Sequence, residues 1–209
     1  MTRIVLATHN EHKVNELRAI LAAHPDLTDL PDNAVASASQ FDVEPPVEDG
    51  ITFAQNALIK ARALAATTGL IAIADDSGLS VDVLGGAPGI FSARWAGTHG
   101  DDQANLNLLL GQLADVPDAH RNAQFVCAAA LVTPQGYEHV EEGALRGTLL
   151  RAPRGNHGFG YDPILQPAGD TRSCAELTPA EKNTISHRGQ AFRALAPVIA
   201  RVLRTNPHN

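Results

Sequence analysis

The sequence predicts an α/β protein, and three observations predict it. Ile4-Val5-Leu6-Ala7 and Ile71-Ala72-Ile73-Ala74 are short apolar runs that read as strands buried on both faces. Apolar residues at helical spacing follow the first run (Val14, Leu17, Leu21) and precede the second (Phe53, Ala57, Leu58, Ala61, Leu64, Ala65). A third apolar run, residues 125–132, is followed by the turn Thr133-Pro134-Gln135-Gly136 and a hairpin partner at residues 137–141.

In chain order, the first helix stops at His24-Pro25. Residues 26–50 are polar and proline-rich, with a short strand expected at residues 40–43 and an acidic, proline-stiffened close through Glu48-Asp49-Gly50. The second helix starts at Thr52, whose spacing to Gln55 suggests a capping box, and stops at Gly69. Asp75-Asp76-Ser77-Gly78 then reads as a turn, and residues 79–84 as a further strand. Asp101 or Asp102 caps a helix carrying Leu106, Leu109, Leu110 and Leu113. Residues 145–150 extend the antiparallel region, and Pro163-Ile164-Leu165 resumes strand character. Thr178-Pro179-Ala180-Glu181 combines a cap, a first-turn proline and a capping-box Glu. After Ser186-His187-Arg188-Gly189, a last amphipathic helix carries Phe192, Leu195, Ile199 and Val202.

Composition narrows the function. A chain of 209 residues that is 44% hydrophobic and 19% charged suits a soluble globular protein with a sizeable core. A net charge of −7 argues against a nucleic-acid polymer or a membrane surface as partner, yet allows a small anion in a local basic pocket. Two distant cysteines, Cys127 and Cys174, lack metal-ligand spacing and fit a reducing compartment. With no run of membrane-spanning length and no leader after Met1-Thr2-Arg3, the expected setting is the cytoplasm.

The chemistry is concentrated in a few stretches. Adjacent carboxylates at Asp75 and Asp76 are tolerated best where a cation or proton mediates between them. Taken alone, the pair reads as part of an exposed turn. Thr8-His9-Asn10-Glu11-His12-Lys13 is a strand-to-helix loop that aims amide donors and one ammonium at an anion. Among 16 basic residues only Lys13, Lys60 and Lys182 are lysines, and each falls in a motif. Lys60 lies off the apolar stripe of its helix. Lys182, in a helix's first turn, calls for an anionic partner. Residues 155–162 hold three glycines and two aromatics, the makings of a loop that lets a planar group approach and stack.

Together these motifs resemble the Ham1/RdgB family of inosine triphosphate pyrophosphatases over nearly the whole chain. The resemblance rests on Thr8-x-Asn10-x-x-Lys13, Thr52-Phe53 with Asn56-Ala57 and Lys60-Ala61, Ala74 through Leu79, and Gly85-Gly86-x-Pro88-Gly89. It continues through Ser92-Ala93-Arg94, Gly158 through Pro163, Glu181-Lys182 and Ser186 through Gly189. It implies a long mixed β-sheet flanked by helices, all 209 residues forming one domain of two lobes with a central substrate cleft. A homodimer is implied, as is Mg2+-dependent hydrolysis of ITP, dITP and XTP to the monophosphate and pyrophosphate. By the same resemblance Asp76 is the catalytic acid. The nucleotide contacts map onto Thr8, His9, Asn10, Glu11, His12, Lys13, Lys60, Ser77, Phe159, Gly160, Tyr161, Asp162, Lys182, His187 and Arg188. His9 and His12 stand where some relatives have glycine. Val47 stands where an acid is often found, so Glu48 is nominated beside Asp76 as metal ligand, with Asp75 as the other candidate.

The residue inventory suits this chemistry. A triphosphate carries about four negative charges, which Lys13, Lys60, Lys182 and Arg188 offset together with Mg2+. Phe159 or Tyr161 is expected to stack on the purine while His187, Arg188 and backbone amides donate to its 6-keto oxygen. The competing expectations are a metal-dependent phosphatase that releases orthophosphate and a nucleotide sensor that does not hydrolyse.

Overall fold

The computed structural model describes residues 2–205, apart from the side chain of His12, so the expectation for that residue lies outside the described residues. Within them a mixed sheet holds six strands: β1 (Ile4–Leu6), β2 (Val35–Ser37), β3 (Ile71–Val81), β4 (Asn122–Val132), β5 (Glu138–Leu149) and β6 (Leu165–Pro167). Their spatial order is β2-β1-β3-β4-β5-β6. β1 pairs in parallel with both β2 and β3, placing Ile4 opposite Val35 and Ile71, whereas β5 and β6 are antiparallel, with Gly147 opposite Pro167. Alongside short 3₁₀ turns, the described residues form five α-helices: α1 (Glu11–Ala22), α2 (Phe53–Thr68), α3 (Asp102–Gln112), α4 (Pro179–Ile185) and α5 (His187–Thr205). None is long and apolar enough to cross a membrane.

The chain divides into two units. The first comprises the residues up to Asp76, those from Cys127 to Gly143, and those from Arg188 onward. Period-two alternation in β3 and β4 sorts its core into two layers. Ile71, Ile73, Cys127, Ala129 and Leu131 pack with Val14, Leu17 and Leu21 of α1 and with Phe192, Leu195 and Ile199 of α5. Ala72, Ala74, Ala128, Ala130 and Val132 pack instead against Ala57, Ala61, Leu64 and Ala65 of α2. That second layer is lined mainly by alanine, which lets the α2 backbone lie close to the strands. Thr52 caps α2 by accepting from Gln55 N at 3.1 Å, and Gly69, at φ 66°, ends it. The Gln55 side chain accepts from Ile51 N at 2.7 Å, one residue earlier than a capping box requires.

The second unit holds residues 77–126 and 144–187. Leu106, Leu109 and Leu113 pack with Leu79, Val81, Phe125, Leu145 and Ile164. Asp101 caps α3 by accepting from Ala104 N at 3.0 Å. Arg121, 1% exposed, donates to the carbonyls of Leu113, Leu149 and Leu150 at 2.6, 2.9 and 3.0 Å, so a buried cation is satisfied by backbone dipoles. Thr178 and Glu181 form the expected capping box of α4, and Ser186 separates α4 from α5.

Four local expectations need correction. Asp75-Asp76-Ser77-Gly78 is no turn: β3 runs straight through it to Val81, and Gly78 is not among the residues with positive φ. Asp82–Leu84 is a 3₁₀ turn ended by Gly85 at φ 62°, not the rest of a strand. The strand expected at residues 40–43 lies at Val35–Ser37, because parallel pairing with β1 selects that segment, and Ala38–Gln40 is a 3₁₀ turn. The segments at 137–141 and 145–150 are one strand, β5, and β6 begins at Leu165, where pairing with Leu149 begins.

Candidate active site

Alternation along β3 separates the two adjacent acids. Asp75 continues the row of Ile71 and Ile73 that faces α1 and α5, and Asp76 the row of Ala72 and Ala74 that faces α2. Each carboxylate therefore meets its own cations. Lys13 Nζ lies 3.3 Å from both Asp75 oxygens, and Arg188 Nε donates to Oδ2 at 3.0 Å. Lys60 Nζ lies 3.2 Å from Asp76 Oδ1, and Asn56 Nδ2 donates to Oδ2 at 3.2 Å.

The environments push the two acids apart. Asp75 is buried, which penalises its charged form, but Arg188 and Lys13 outweigh that penalty and hold the carboxyl well below the usual range. Burial pushes the Asp76 carboxyl above its usual value, against the opposing pull of Lys60 and Asn56. Glu16, one turn beyond Lys13 on α1, is likewise pushed up by burial, with Arg188 opposing. The Asp75 cluster of two cations and one carboxylate suits an anion; the other face, with Lys60 between Asp76 and Glu48, suits a cation.

A cavity of about 230 Å³ in this unit is lined by His9, Lys13, Glu48, Lys60 and Asp75, among others. It lies beyond the carboxyl end of β1, where α/β sheets commonly bind ligands. Thr8 lies between the lining residues Ala7 and His9: its Oγ1 accepts from Asn10 N at 3.1 Å and its carbonyl accepts from Ser37 Oγ at 2.6 Å. Asn10 and Glu11 are exposed at the start of α1, and the Asn10 carbonyl accepts from Lys13 N at 3.0 Å.

In the second unit, Lys182 has the anionic partner its position calls for, the buried Asp162. Phe159 N donates to Asp162 Oδ2 at 2.9 Å, and Lys182 Nζ sits 5.4 Å from the centre of the Phe159 ring. Gly158, at φ 76°, is required: a Cβ there would lie 2.1 Å from Asp162 Oδ2. Gly160 N donates to Asp102 Oδ2 at 2.9 Å. Phe159 is 68% exposed. Tyr161 instead belongs to the core and donates its hydroxyl to the Ser92 carbonyl at 2.9 Å, so Phe159 is the exposed aromatic of the two. Ser77 is half-buried in β3, and the His187 ring stacks on Phe125 at 5.2 Å.

Asp76 and Glu48 both reach the Lys60 ammonium, at 3.2 and 3.3 Å, which brings two hard oxygen donors to one point. That donor set fits a divalent cation completed by phosphate oxygens. Among the described residues no group of three or more His, Cys, Asp or Glu is placed to hold a metal. Asn56, quoted above as a motif residue but given no role, is 2% exposed and joins this site twice, accepting from Gly50 N at 2.9 Å and donating to Asp76. The available signal was its spacing, one helical turn before Lys60. Gly50 belongs to the same joint, because a Cβ there would sit 2.6 Å from Asn56 Oδ1.

Paired carboxylates, lysines and a cavity at strand ends suit a hydrolase of phosphorylated substrates. Comparison with known proteins narrows the class. Residues 4–198 match the model of the Ham1 family, and the chain belongs to that family. It is 63% identical to a dITP/XTP pyrophosphatase of Streptomyces coelicolor, over 97% of this chain and 100% of that protein. A solved HAM1 protein from Coxiella burnetii superposes with a TM-score of 0.85 at 40% identity, covering 96% of this chain and all of the other. A nucleoside-triphosphatase (dITP/XTP pyrophosphatase) structure from Mycobacterium abscessus gives 0.79 at 48% identity, covering 95% and 100%.

Proposed function

We infer that this protein hydrolyses non-standard purine nucleoside triphosphates, dITP and XTP and with them ITP, to the nucleoside monophosphate and pyrophosphate, with Mg2+ as the divalent cation. The observation that carries the reading is Asp76: a carboxylate with raised proton affinity, held by Lys60 and Asn56 beside Glu48, in a chain 63% identical to a dITP/XTP pyrophosphatase.

Asp76 takes a proton from the attacking water as the water oxygen bonds to the α-phosphorus and the bond from that phosphorus to the bridging oxygen breaks. Pyrophosphate leaves with the bridging oxygen. A carboxylate whose proton affinity is raised by burial is a better base than an ordinary Asp. Asn56 fixes the direction of that carboxylate, while Lys13, Lys60 and Arg188 supply positive charge for the phosphates. A cation held by Asp76 and Glu48 would neutralise phosphate charge and polarise the phosphorus under attack.

Recognition of the base is assigned to Phe159 by stacking and to His187 and Arg188 by donation to the 6-keto oxygen. Adenine offers an amino group there, so the donors would stay unpaired, a mismatch that costs roughly 10⁴-fold. Asp162 and Lys182 shape the Phe159 loop. The protein is proposed to act on the free nucleotide in the cytoplasm, as a homodimer.

The test is a panel of nucleoside triphosphates with Mg2+, scored separately for pyrophosphate and orthophosphate. Pyrophosphate from dITP and XTP, with ATP at least 100-fold slower, is expected. Orthophosphate as first product, comparable ATP turnover, or binding without hydrolysis would overturn the reading.

A further inference from the structure

Asp75 is the most enclosed charged group of the site, and the mechanism above gives it no step. Its side chain is 2% exposed, yet it touches two cations that belong to different helices, Lys13 of α1 and Arg188 of α5. Both its oxygens lie 3.3 Å from Lys13 Nζ, and Oδ2 also accepts from Arg188 Nε at 3.0 Å. Strand alternation turns it to the face of β3 opposite Asp76, although Asp75 and Lys60 both line the cavity.

We propose that Asp75 is a positioning residue which holds the Lys13 ammonium and the Arg188 guanidinium in place for the substrate and does not ligate the metal. The proposal rests on the function assigned above, since it concerns how that same site receives its nucleotide. The physical case is one of competing charges. Lys13 and Arg188 repel each other, and both side chains are long enough to swing away from a shared position. One buried carboxylate between them removes the repulsion and limits each to one direction, so less order is lost when phosphate arrives. A carboxylate already spent on two cations has little capacity left for a third. Lys13 is 27% exposed and Arg188 15%, against 2% for Asp75, so the two cations stay more accessible than the carboxylate they share.

Wild-type turnover of dITP is measured first; its absence would refute the proposed function and leave the role of Asp75 to the binding arm. Asp75→Asn keeps the shape and removes the charge. It should raise KM for dITP about tenfold or more and weaken calorimetric binding of dITP without metal by a similar factor. The Mg2+ concentration giving half-maximal rate should change less than about twofold, whereas Glu48→Gln should raise it about tenfold. Asp75→Glu, which keeps the charge but displaces it, serves if the first variant does not fold and should also raise KM. In a Lys13→Met background the cost of Asp75→Asn should shrink, because one of its two clients is gone. A merely structural role would lower the active fraction and leave KM and nucleotide affinity unchanged. Unchanged KM and affinity, a raised Mg2+ requirement in Asp75→Asn, or full additivity with Lys13→Met would overturn the proposal.

Discussion

On one face of β3, Ile71, Ile73 and Asp75 look toward α1 and α5; on the other, Ala72, Ala74 and Asp76 look toward α2. The first face is filled by branched and aromatic side chains, including Leu17, Phe192 and Ile199. The second is filled largely by alanines, so the strand and α2 lie close, and Asn56 and Lys60 reach Asp76 at 3.2 Å. The difference shows how one strand supports two chemistries. Neighbouring residues with the same side chain shift in opposite directions because burial raises both, and two cations outweigh it at Asp75 while Lys60 and Asn56 do not at Asp76.

The sharpest break in this comparison is Asp76→Asn. It should lower kcat for dITP by about 10³-fold or more while the melting temperature holds near that of the wild type. Retained turnover would remove the distinction between the two acids. On the other face, Phe192→Ala tests packing: about 3–5 kcal/mol of unfolding free energy should disappear in a denaturant titration. Ala61→Leu asks whether the alanine layer is tight, with about 1–3 kcal/mol lost and dITP turnover reduced as Lys60 is displaced. Full stability and activity would mean that α2 has room to move. Thr52→Ala should cost about 1 kcal/mol by removing the cap of α2.

A pH series sharpens the comparison further. Nuclear magnetic resonance titration of the metal-free protein should place Asp75 below the ordinary value of 3.8 and Asp76 above it. Because the folded value of Asp75 is depressed, its stabilisation is present above the unfolded value and is lost as pH falls through the folded one. Asp76 has the opposite sign: its contribution is present below the unfolded value and is lost as pH rises through its raised folded value. Lys60→Met should move Asp76 higher still, since the ammonium opposes the rise. An Asp76 titration at or below 3.8 would contradict the role given to burial.

Much of this was readable in order along the chain. Thr52 and Gly69 bracket α2, and Thr178 with Glu181 starts α4, because capping depends on residues within one turn of each other. The sparse lysines each meet a carboxylate, and the 155–162 loop exposes Phe159. The strand through Asp75-Asp76-Ser77-Gly78 was not readable, because hydrogen bonding to distant strands overrides a local turn preference. For the same reason β2 formed at Val35–Ser37, where the sequence shows little pattern. Asn56 stood in a motif without a role, since its value lies in joining Gly50 to Asp76, residues six and twenty positions away.

The sequence by itself determined the helices and their ends, the apolar strands and the inventory of acids and cations, since these follow from short-range periodicity and composition. Tertiary structure alone decided which cation each acid would meet. A two-residue alternation turns adjacent carboxylates to opposite faces, and only the packing of α1, α5 and α2 brings Lys13, Arg188 and Lys60 to them. That is why the Asp75 carboxyl is held below its usual range and the Asp76 carboxyl is pushed above it.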